Sequence, residues 1–323
     1  MLSIDDLVLE ATQAVAITKH DLVQSLWSGY GEIRRYWIEG GSVDSVIVKH
    51  VKLPEQANHP RGWNNDISHQ RKLKSYQIEI NWYKRLAKRV SKDSRLPRLL
   101  YSEQHDSEML MIMEDLDSVG FPLRKSSITI PEVKLCLKWL ARFHATYLGI
   151  DSKDLWPIGT YWHLDTRPEE LKVMENEELR LASSKIDEKL NSAQYQTIVH
   201  GDAKLANFCF SNTGNDVTAV DFQYVGKGCG IKDVAYFLSS CLESEECYQY
   251  ENELLDYYFN CLSKGIQDNI NQEDIDNLIV EWRGLYKYAW ADFYRFLDGW
   301  SPGHWKMHDY SLNLTKQVLE EWN

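Results

Sequence analysis

The sequence predicts an α+β protein of two lobes, in which a strand-rich N-lobe precedes a mainly helical C-lobe. The chain has 323 residues, about twice the length of a typical domain, so each lobe can bury a core of its own. The first third contains short runs of β-branched and aromatic residues between glycine turns, which indicate strands. Beyond Asp117 the apolar residues recur mostly at helical spacing. We therefore place the N-lobe at residues 1–116 and the C-lobe at residues 117–323.

The composition is that of an acidic globular protein, with 43% apolar residues, 26% charged residues and a formal net charge of −12. This charge argues against binding to nucleic acid or to an anionic membrane surface. Residues 1–6 carry no basic side chain, and no run of about 18 apolar residues occurs, so neither secretion nor membrane spanning is expected. The six cysteines form no C-x-x-C pair, which is typical of reduced thiols in a cytoplasmic protein. Nothing in the sequence indicates an oligomeric state.

The N-lobe elements can be assigned in chain order. Apolar residues at helical spacing predict a helix over residues 4–17, with Ser3 as its N-cap. Residues 22–51 are then expected to form three antiparallel strands, which turns at residues 28–31 and 40–42 would join.

A polar segment follows the third strand. Residues 52–74 contain two prolines and few apolar side chains, so a solvated surface loop is expected, with a mobile lid as the alternative. Tyr76, Ile80 and Tyr83 then fall on one face of a helix. Glu79 lies on the same face, where a buried carboxylate needs a partner. Two further strand-like runs follow, at residues 98–101 and 109–113.

The C-lobe is expected to consist mostly of helices. Apolar periodicity predicts helices over residues 131–148, 169–191, 231–242, 248–264, 273–297 and 309–322. One β-rich interruption matters for function, because short strands are predicted around a polar loop, at residues 197–200, 207–210 and 217–221.

A dense group of polar residues follows the first of these short strands. Asp202, Lys204 and Asn207 lie within one loop, and Asp221 ends the next hairpin, so all four side chains can point into one cleft. Mg²⁺ prefers oxygen ligands and usually takes one or two carboxylates beside phosphate oxygens, so Asn207 and Asp221 are the predicted metal ligands. Asp202 can then accept the proton of a hydroxyl nucleophile, while Lys204 neutralises the transferring phosphoryl group. Taken singly, either aspartate could instead be a turn former or a helix cap.

The spacing of these residues resembles a known group of enzymes. The motif His200-Gly-Asp-x-x-x-x-Asn207, followed by Asp221-Phe-Gln223, is similar to that of the small-molecule kinases of the protein-kinase-like superfamily. That branch includes aminoglycoside phosphotransferases, choline and ethanolamine kinases and the ecdysteroid-kinase-like group. The resemblance implies a bilobal protein-kinase-like fold, with a five-stranded antiparallel sheet and a helix in the N-lobe. It also implies ATP and Mg²⁺ as cofactors and a hydroxyl group of a small molecule as the acceptor.

One departure from the protein-kinase pattern narrows this expectation. Gly201 stands where the protein-kinase catalytic loop, H-R-D-x-x-x-x-N, has its arginine. That arginine is the usual partner of a phosphorylated activation loop. The resemblance therefore implies a metabolite kinase rather than a regulated protein kinase.

The same resemblance assigns nucleotide-binding roles in the N-lobe. Lys49, on the third strand, would hold the α- and β-phosphates, and Glu79 would be its ion-pair partner. Taken alone, a lysine on a strand is most often solvated. The loop that covers the phosphates would contain Ser28, Gly29 and Gly31. The backbone that binds adenine would be that of Glu114, Asp115 and Leu116.

Supporting roles are also expected in the C-lobe. The resemblance implies that Asp233 braces the catalytic loop from the following helix. His200 is expected to hold the backbone of that loop rather than to transfer protons. His144 lies on an apolar helix face, which favours a core histidine with satisfied hydrogen bonds. The run 226–230 is rich in glycine but lacks the spacing of a phosphate loop, so we interpret it as a short remnant of an activation segment.

Aromatic residues are abundant, with 12 Trp and 18 Tyr, and the family's acceptor site is expected among the C-terminal helices. A single helical stripe there contains Trp282, Tyr286, Trp290 and Phe293. Core packing is the default for such a stripe. If part of the region faces the acceptor, the candidate acceptor-binding residues are Trp290, Trp300 and Trp305.

Three kinds of acceptor remain open. Aromatic rings with Asp292 or Asp298 nearby would suit a choline-like amino alcohol. The same rings without a carboxylate would suit a flat, steroid-like alcohol, and an aminoglycoside sugar would need several acidic side chains. The alternative to an enzyme is a pseudokinase-like nucleotide sensor, against which the presence of Asp202, Asn207 and Asp221 argues.

Overall fold

The computed structural model describes residues 3–26, 29–52, 66–90, 94–105 and 108–322. Its chain divides into two compact units. The first unit consists of Met1–Lys88 and Leu96–Leu123, and the second consists of Arg89–Arg95 and Arg124–Asn323.

The first unit is built around one sheet. Its elements are α1 (Ile4–Thr12), β1 (Ala16–Ser25), β2 (Gly31–Glu39), β3 (Ser45–Lys52), α2 (Asp66–Arg85), β4 (Leu99–His105) and β5 (Glu108–Glu114). The strand order is β1-β2-β3-β5-β4, and every neighbouring pair is antiparallel. The expected five-stranded antiparallel sheet with a helix is therefore confirmed.

Helix α1 is shorter than the sequence predicts. Ser3 and Asp6 form a capping box at its start, as the N-cap prediction requires. At its end, Gln13 adopts a left-handed conformation with φ 55°, which stops the helix. The N–H of Val15 then donates to the carbonyl of Glu39 over 2.8 Å. This bond begins the β1–β2 ladder, and the predicted helix over 4–17 was too long because it ran into that strand.

Helix α2 starts earlier than the apolar pattern indicates. Residues 66–74, which we expected in a surface loop, belong to the helix. Their side chains from residue 68 to residue 74 are half-buried or exposed, so the helix there has no apolar face that a sequence pattern could reveal. The remainder of the expected loop, residues 53–65, lies outside the described residues.

A hydrophobic cluster of the first unit lies on one face of its sheet. Leu7 and Val8 of α1 pack on one face, in a cluster completed by Tyr36, Ile38, Val46, Val48, Leu110 and Ile112. Because side chains alternate along a strand, Lys49 is directed to the face opposite to that of Val48. This alternation directs the lysine away from the α1 cluster.

The unit boundary falls later than the predicted lobe boundary. Asp117 forms an ion pair with Arg35 on β2, and the N–H of Phe121 donates to the carbonyl of Leu116 over 2.8 Å. These bonds keep residues 117–123 with the first unit. The assignment of nucleotide binding to one lobe and of catalysis to the other stays a prediction.

The second unit is mainly helical. Its elements are α3 (Ile130–Thr146), α4 (Pro168–Lys172), α5 (Glu177–Asn191), β6 (Thr197–Val199), β7 (Phe208–Phe210), β8 (Val217–Ala219), β9 (Gly226–Gly228), α6 (Ile231–Leu238), α7 (Ser244–Ile266), α8 (Gln272–Trp300) and α9 (Asp309–Glu320). Strand β6 pairs with β9, and β7 pairs with β8. No helix among the described residues is both long and apolar enough to cross a membrane.

Two local features of the second unit were not predicted. The helix expected over 169–191 is divided into α4 and α5, because Asn176 accepts a hydrogen bond from the N–H of Leu179 and so caps a new helix. Strand β9 has the sequence Gly-Lys-Gly, which has low strand propensity, and it is held by its pairing with β6. The run 226–230 is thus partly a strand.

Candidate active site

The loop between β6 and β7 brings three of the predicted residues together. Oδ2 of Asp202 accepts hydrogen bonds from Nζ of Lys204 over 3.0 Å and from Nδ2 of Asn207 over 3.1 Å. Oδ1 of Asp202 accepts from the hydroxyl of Tyr236 over 3.1 Å. Asp202 is only 6% exposed. Its carboxylate is therefore oriented by three donors, which fix the positions of both oxygens.

Gly201 is required by the path of this loop. Its φ is +79°, and a Cβ atom at this position would lie 2.1 Å from the carbonyl oxygen of Tyr224. No side chain fits so close to backbone, and L-residues rarely adopt this φ. The glycine at the position of the protein-kinase arginine thus also allows the loop between β6 and β7 to pack against residue 224.

Asp233, at the start of α6, holds the backbone of the loop between β6 and β7 through hydrogen bonds. Its carboxylate accepts from the N–H of His200 over 2.6 Å, from the N–H of Gly201 over 3.0 Å and from Nε2 of His144 over 3.1 Å. Burial alone would raise the pKa of Asp233, but the hydrogen bonds that its carboxylate accepts from His144 and Gly201 lower it. The expected brace is confirmed by these contacts.

Both histidines have the structural roles that the sequence predicts. Nδ1 of His200 accepts the N–H of Asp202 over 3.2 Å, so the proton lies on Nε2, which donates to the carbonyl of Val220 over 3.0 Å. His144 is fully buried, and Tyr258 and Asp233 satisfy its two ring nitrogens. Neither ring is available as a general base.

The two predicted metal ligands lie side by side. The N–H of Val220 donates to the carbonyl of Asn207 over 3.0 Å, which puts Asp221 next to Asn207. Nδ2 of Asn207 donates to the carbonyl of Asp202 over 2.7 Å, so its Oδ1 is the atom left to act as a ligand. Asp221 has a φ of +70°, a conformation that costs energy in a non-glycine residue and is concentrated at functional sites.

The donor set at this position fits Mg²⁺. One carboxylate and one amide oxygen are hard ligands, and Mg²⁺ commonly completes its shell with water and phosphate oxygens. Among the described residues, no group of three or more His, Cys, Asp or Glu side chains could hold a metal ion by itself. Asn207 and Asp221 could therefore supply part of a magnesium shell, and metal binding by these residues stays a prediction.

Lys204 is a partly exposed cation beside Asp202. Its side chain is 38% exposed, so it reaches solvent while it contacts Asp202. Burial would lower the pKa of Lys204, but the charges of Asp202 and Asp221 outweigh burial and raise it. Lys204 is thus fully protonated at neutral pH.

In the first unit, the predicted ion pair between Lys49 and Glu79 is formed. Nζ of Lys49 lies 2.6 Å from Oε2 of Glu79, and both side chains are almost completely buried. Nζ also lies 5.5 Å from the centre of the Tyr76 ring. The partner of the inward carboxylate on α2 is thus a strand lysine, as the resemblance implies. Phosphate binding by Lys49 stays a prediction.

The turn before β2, where the phosphate loop is predicted, contains two glycines with positive φ. Gly31 has a φ of +129°, and a Cβ atom there would lie 2.1 Å from the carbonyl oxygen of His50. Gly29 has a φ of +76° with open space around it. Any residue other than glycine would strain both positions, so these glycines allow the close turn that the chain makes here. Phosphate binding by this turn stays a prediction. Ser28 lies outside the described residues.

The segment after β5 is buried and internally bonded. The carboxylate of Glu114 pairs with Arg98 over 3.1 Å, and that of Asp115 accepts from the hydroxyl of Ser45 over 2.6 Å. Within the described part of the chain, the N–H of Leu116 donates to no acceptor. A backbone donor of this kind is what an adenine ring nitrogen requires. The side chains of Glu114 and Asp115 are structural, and adenine binding by this backbone stays a prediction.

The candidate acceptor residues divide into core and surface. Trp290 is 1% exposed and packs 5.1 Å from the ring centre of Tyr310, so it is a core residue and not part of an open acceptor surface. Trp300 stacks on Phe296 at 5.6 Å and is partly buried, whereas Trp305 is 53% exposed. Trp282, Tyr286 and Trp290 of the α8 stripe are all buried, so these three pack in the core, and Trp300 and Trp305 stay candidates.

The two carboxylates considered for a cationic acceptor are engaged within the protein. Asp292 accepts from Nε1 of Trp162 over 2.9 Å and from Nη2 of Arg295 over 2.6 Å. Asp298 accepts from the N–H of Asn176 over 3.1 Å. Both side chains are buried. They stabilise the packing of α8 and do not form an exposed anionic site.

Sequence reasoning missed two residues beside Asp202. Tyr236 lies one turn after Asp233 on α6, so helical spacing from the brace could have indicated it. Lys306 places its Nζ atom 4.7 Å from the centre of the Tyr236 ring. It is the one Asp, Glu, Lys or Arg between Asp298 and Asp309, in a segment otherwise rich in aromatic rings. A single charged residue among aromatic ones could have indicated a special role for Lys306 from the sequence.

Comparisons with known proteins agree with this geometry. The family model described as the ecdysteroid kinase-like family matches residues 42–154 and 162–269, more than half of the chain. No curated protein matches the sequence.

Two solved structures show the same architecture. The amicoumacin kinase hAmiN, in complex with AMP-PNP, Ca²⁺ and Ami, matches 99% of this chain and 93% of its own, with 13% identity and a TM-score of 0.55. A microcompartment-associated aminopropanol kinase matches 98% of this chain and 97% of its own, with 14% identity and a TM-score of 0.54. At such identities the likeness shows the fold, and it confirms the protein-kinase-like fold that the motif implies.

Proposed function

This chain belongs to the ecdysteroid kinase-like family, and from that premise we propose that it is an ATP- and Mg²⁺-dependent phosphotransferase that phosphorylates a hydroxyl group of a small molecule. The observation that carries the proposal is the buried set around Asp202, which three side chains orient and which Asp233 braces through the backbone. Buried polar groups need hydrogen-bond partners, and here these partners hold the carboxylate of Asp202 in one orientation. They supply the fixed geometry that phosphoryl transfer requires.

Asp202 is the proposed catalytic base. It accepts the proton of the acceptor hydroxyl as the new bond between that oxygen and the γ-phosphorus forms. The bond from the γ-phosphorus to the β,γ-bridging oxygen breaks, and ADP leaves with that electron pair. Lys204, which contacts Asp202 and is partly exposed, is proposed to neutralise charge on the transferring group.

Each unit is proposed to contribute its own ligands for the metal or the nucleotide. In the second unit, Asn207 and Asp221 would hold Mg²⁺, which neutralises phosphate charge when it is bound. In the first unit, Lys49 would bind the α- and β-phosphates, with Glu79 keeping its ammonium group in place. The turn at Gly29 and Gly31 and the N–H of Leu116 would contact the phosphates and the adenine ring, respectively.

An ATP-turnover screen tests the proposal. The purified chain is incubated with ATP and Mg²⁺, and ADP release is followed with choline, ethanolamine, an aminoglycoside, methylthioribose and steroid alcohols. We expect at least one hydroxyl compound to stimulate ADP release and to gain a phosphoryl group, as detected by mass spectrometry. Tight ATP binding without stimulation by any of these compounds would instead support the nucleotide-sensor alternative.

A further inference from the structure

Lys306 occupies an aromatic cage in the second unit, on the segment between α8 and α9. Its Nζ atom lies 4.7 Å from the ring centre of Tyr236, 5.4 Å from that of Phe293 and 5.5 Å from that of Trp305. The residue is only 8% exposed. No carboxylate in the described part of the chain lies within ion-pair distance of this atom.

The cage lies directly beside the catalytic carboxylate. Tyr236 joins the two, because its ring faces the ammonium group of Lys306 while its hydroxyl donates to Oδ1 of Asp202 over 3.1 Å. Asp202 forms its ion pair with Lys204 instead, over 3.0 Å. Two lysine side chains thus lie near the base, one paired with it and one surrounded by rings.

Aromatic cages of this kind bind cationic ligands in many proteins, because the faces of the rings attract positive charge. In this chain the protein's own ammonium group fills the cage. Lys306 therefore already occupies the aromatic faces that the ammonium group of a cationic acceptor would contact. Lys204, close to Asp202, adds a second positive charge there. Like charges brought together in a partly desolvated site cost free energy and select against such a ligand.

The two carboxylates of α8 that were considered for a cationic acceptor do not offset this effect. Asp292 is neutralised by Arg295 and bonded to Trp162, and Asp298 accepts the N–H of Asn176. Both are buried, so they offer no counter-charge to a cationic acceptor.

The protonation of Lys306 agrees with a positively charged site. Burial lowers the pKa of Lys306 to about 8, while Asp202 opposes this shift and Lys204 adds to it. The group is therefore mainly protonated at pH 7. A buried ammonium group without an ion-pair partner is unfavourable for stability, and such positions are concentrated at functional sites.

We propose that Lys306 determines the acceptor class: its ammonium group fills the cation cage beside Asp202, so that the enzyme phosphorylates alcohols that carry no positive charge and rejects amino alcohols. The inference rests on the proposed phosphotransferase function.

The test compares matched acceptors that differ only in charge. Choline is paired with 3,3-dimethylbutan-1-ol, in which carbon replaces the quaternary nitrogen, and ethanolamine is paired with propan-1-ol. For the wild type we expect kcat/KM to favour the uncharged member of each pair by about tenfold or more, with binding measured by calorimetry changing in the same direction. In Lys306→Met this preference should fall by about tenfold.

Controls separate charge from structure. Lys306→Arg keeps the positive charge and should keep the preference, while Lys316→Met makes the same substitution at an exposed position of α9 and should have no effect. If Lys306→Met does not fold, Lys306→Gln provides the second uncharged variant. An unchanged preference in an uncharged variant, or equal use of both members of a pair by the wild type, overturns the inference. Acceptors that bind with the expected preference but receive no phosphoryl group would instead overturn the proposed function.

Discussion

The hydroxyl of Tyr236 donates to Oδ1 of Asp202 over 3.1 Å, and this bond joins helix α6 to the loop between β6 and β7. Burial raises the pKa of Tyr236 well above its ordinary value, and Tyr161 and Asp202 add to the shift, so the tyrosine stays protonated and remains a donor. Because Lys204 and Asn207 both bond to Oδ2, Tyr236 is the donor that orients the other oxygen.

Removal of this donor should slow turnover. In Tyr236→Phe we expect kcat to fall about tenfold, equivalent to about 1.4 kcal/mol, because one hydrogen bond to a charged group is lost. The KM for ATP should not change. The matched control is Tyr248→Phe, which removes an exposed tyrosine–aspartate bond to Asp309 and should leave kcat unaltered. An unchanged kcat in Tyr236→Phe would show that Oδ1 needs no orienting donor.

Gly201 should tolerate no side chain. In Gly201→Ala the new Cβ atom would lie 2.1 Å from the carbonyl oxygen of Tyr224, so we expect a loss of more than about 2 kcal/mol of unfolding free energy together with loss of activity. Gly214→Ala is the matched control, because Gly214 also has a positive φ of +69° but has open space around it. Its cost should be limited to about 1 kcal/mol. Urea unfolding measures both, and equal costs would contradict the proposed clash.

The stability of the protein at acid pH should depend on the ionisation of Asp233. Its pKa is lowered in the folded protein, so the stability that its charge provides is present above the unfolded pKa of about 3.9 and is lost as the pH falls through the folded value. We expect Asp233→Asn to lose about 3 kcal/mol or more at pH 7, because a buried hydrogen-bonded carboxylate is removed.

The pH dependence of that loss is the discriminating observation. Urea unfolding at a series of pH values should show the difference between wild type and Asp233→Asn shrinking below pH of about 4. Asp268→Asn, at an exposed position, serves as the control. A difference that stays constant down to low pH would contradict the role of the charge.

Lys306 should reduce stability at neutral pH. Burial lowers the pKa of Lys306 to about 8. The charge of Asp202 opposes this shift, Lys204 adds to it, and Cys241 also opposes it. The charged form is therefore penalised below pH 8, and the penalty fades as the pH rises toward the unfolded value of about 10.4. We expect Lys306→Met to be more stable than the wild type at pH 7, by up to about 3 kcal/mol.

The gain in stability that Lys306→Met gives at pH 7 should disappear at alkaline pH. Chemical unfolding at pH 7 and near pH 10 measures the change. A variant less stable than the wild type at pH 7 would show that the aromatic cage stabilises the ammonium group more than burial destabilises it.

The sequence predicted those parts of the site that depend on local spacing. Asp202, Asn207 and Asp221 belong to one loop and the hairpin after it, so their proximity follows from chain order. The pairing of Lys49 with Glu79 was predictable from the resemblance, because each residue lies on a defined face of a strand or a helix.

Other parts depended on packing between distant segments. Lys306 and Tyr236 are 70 positions apart, and only the fold of the second unit brings them together. Whether Trp290 faces a ligand or the core is decided by its contact with Tyr310, which a helical stripe does not reveal. Helix α1 ended early because the adjoining residues pair with β2, a tertiary effect that overrides helical periodicity.

The role of Asp202 as the base is the central claim, and the turnover of Asp202→Asn tests it most directly. Transfer of the γ-phosphoryl group from ATP to the acceptor found in the screen is measured in wild type and variant, with ATP affinity measured in parallel. We predict that the variant loses several orders of magnitude in kcat while its affinity for ATP is retained. A variant that transfers the phosphoryl group as fast as the wild type would contradict the mechanism.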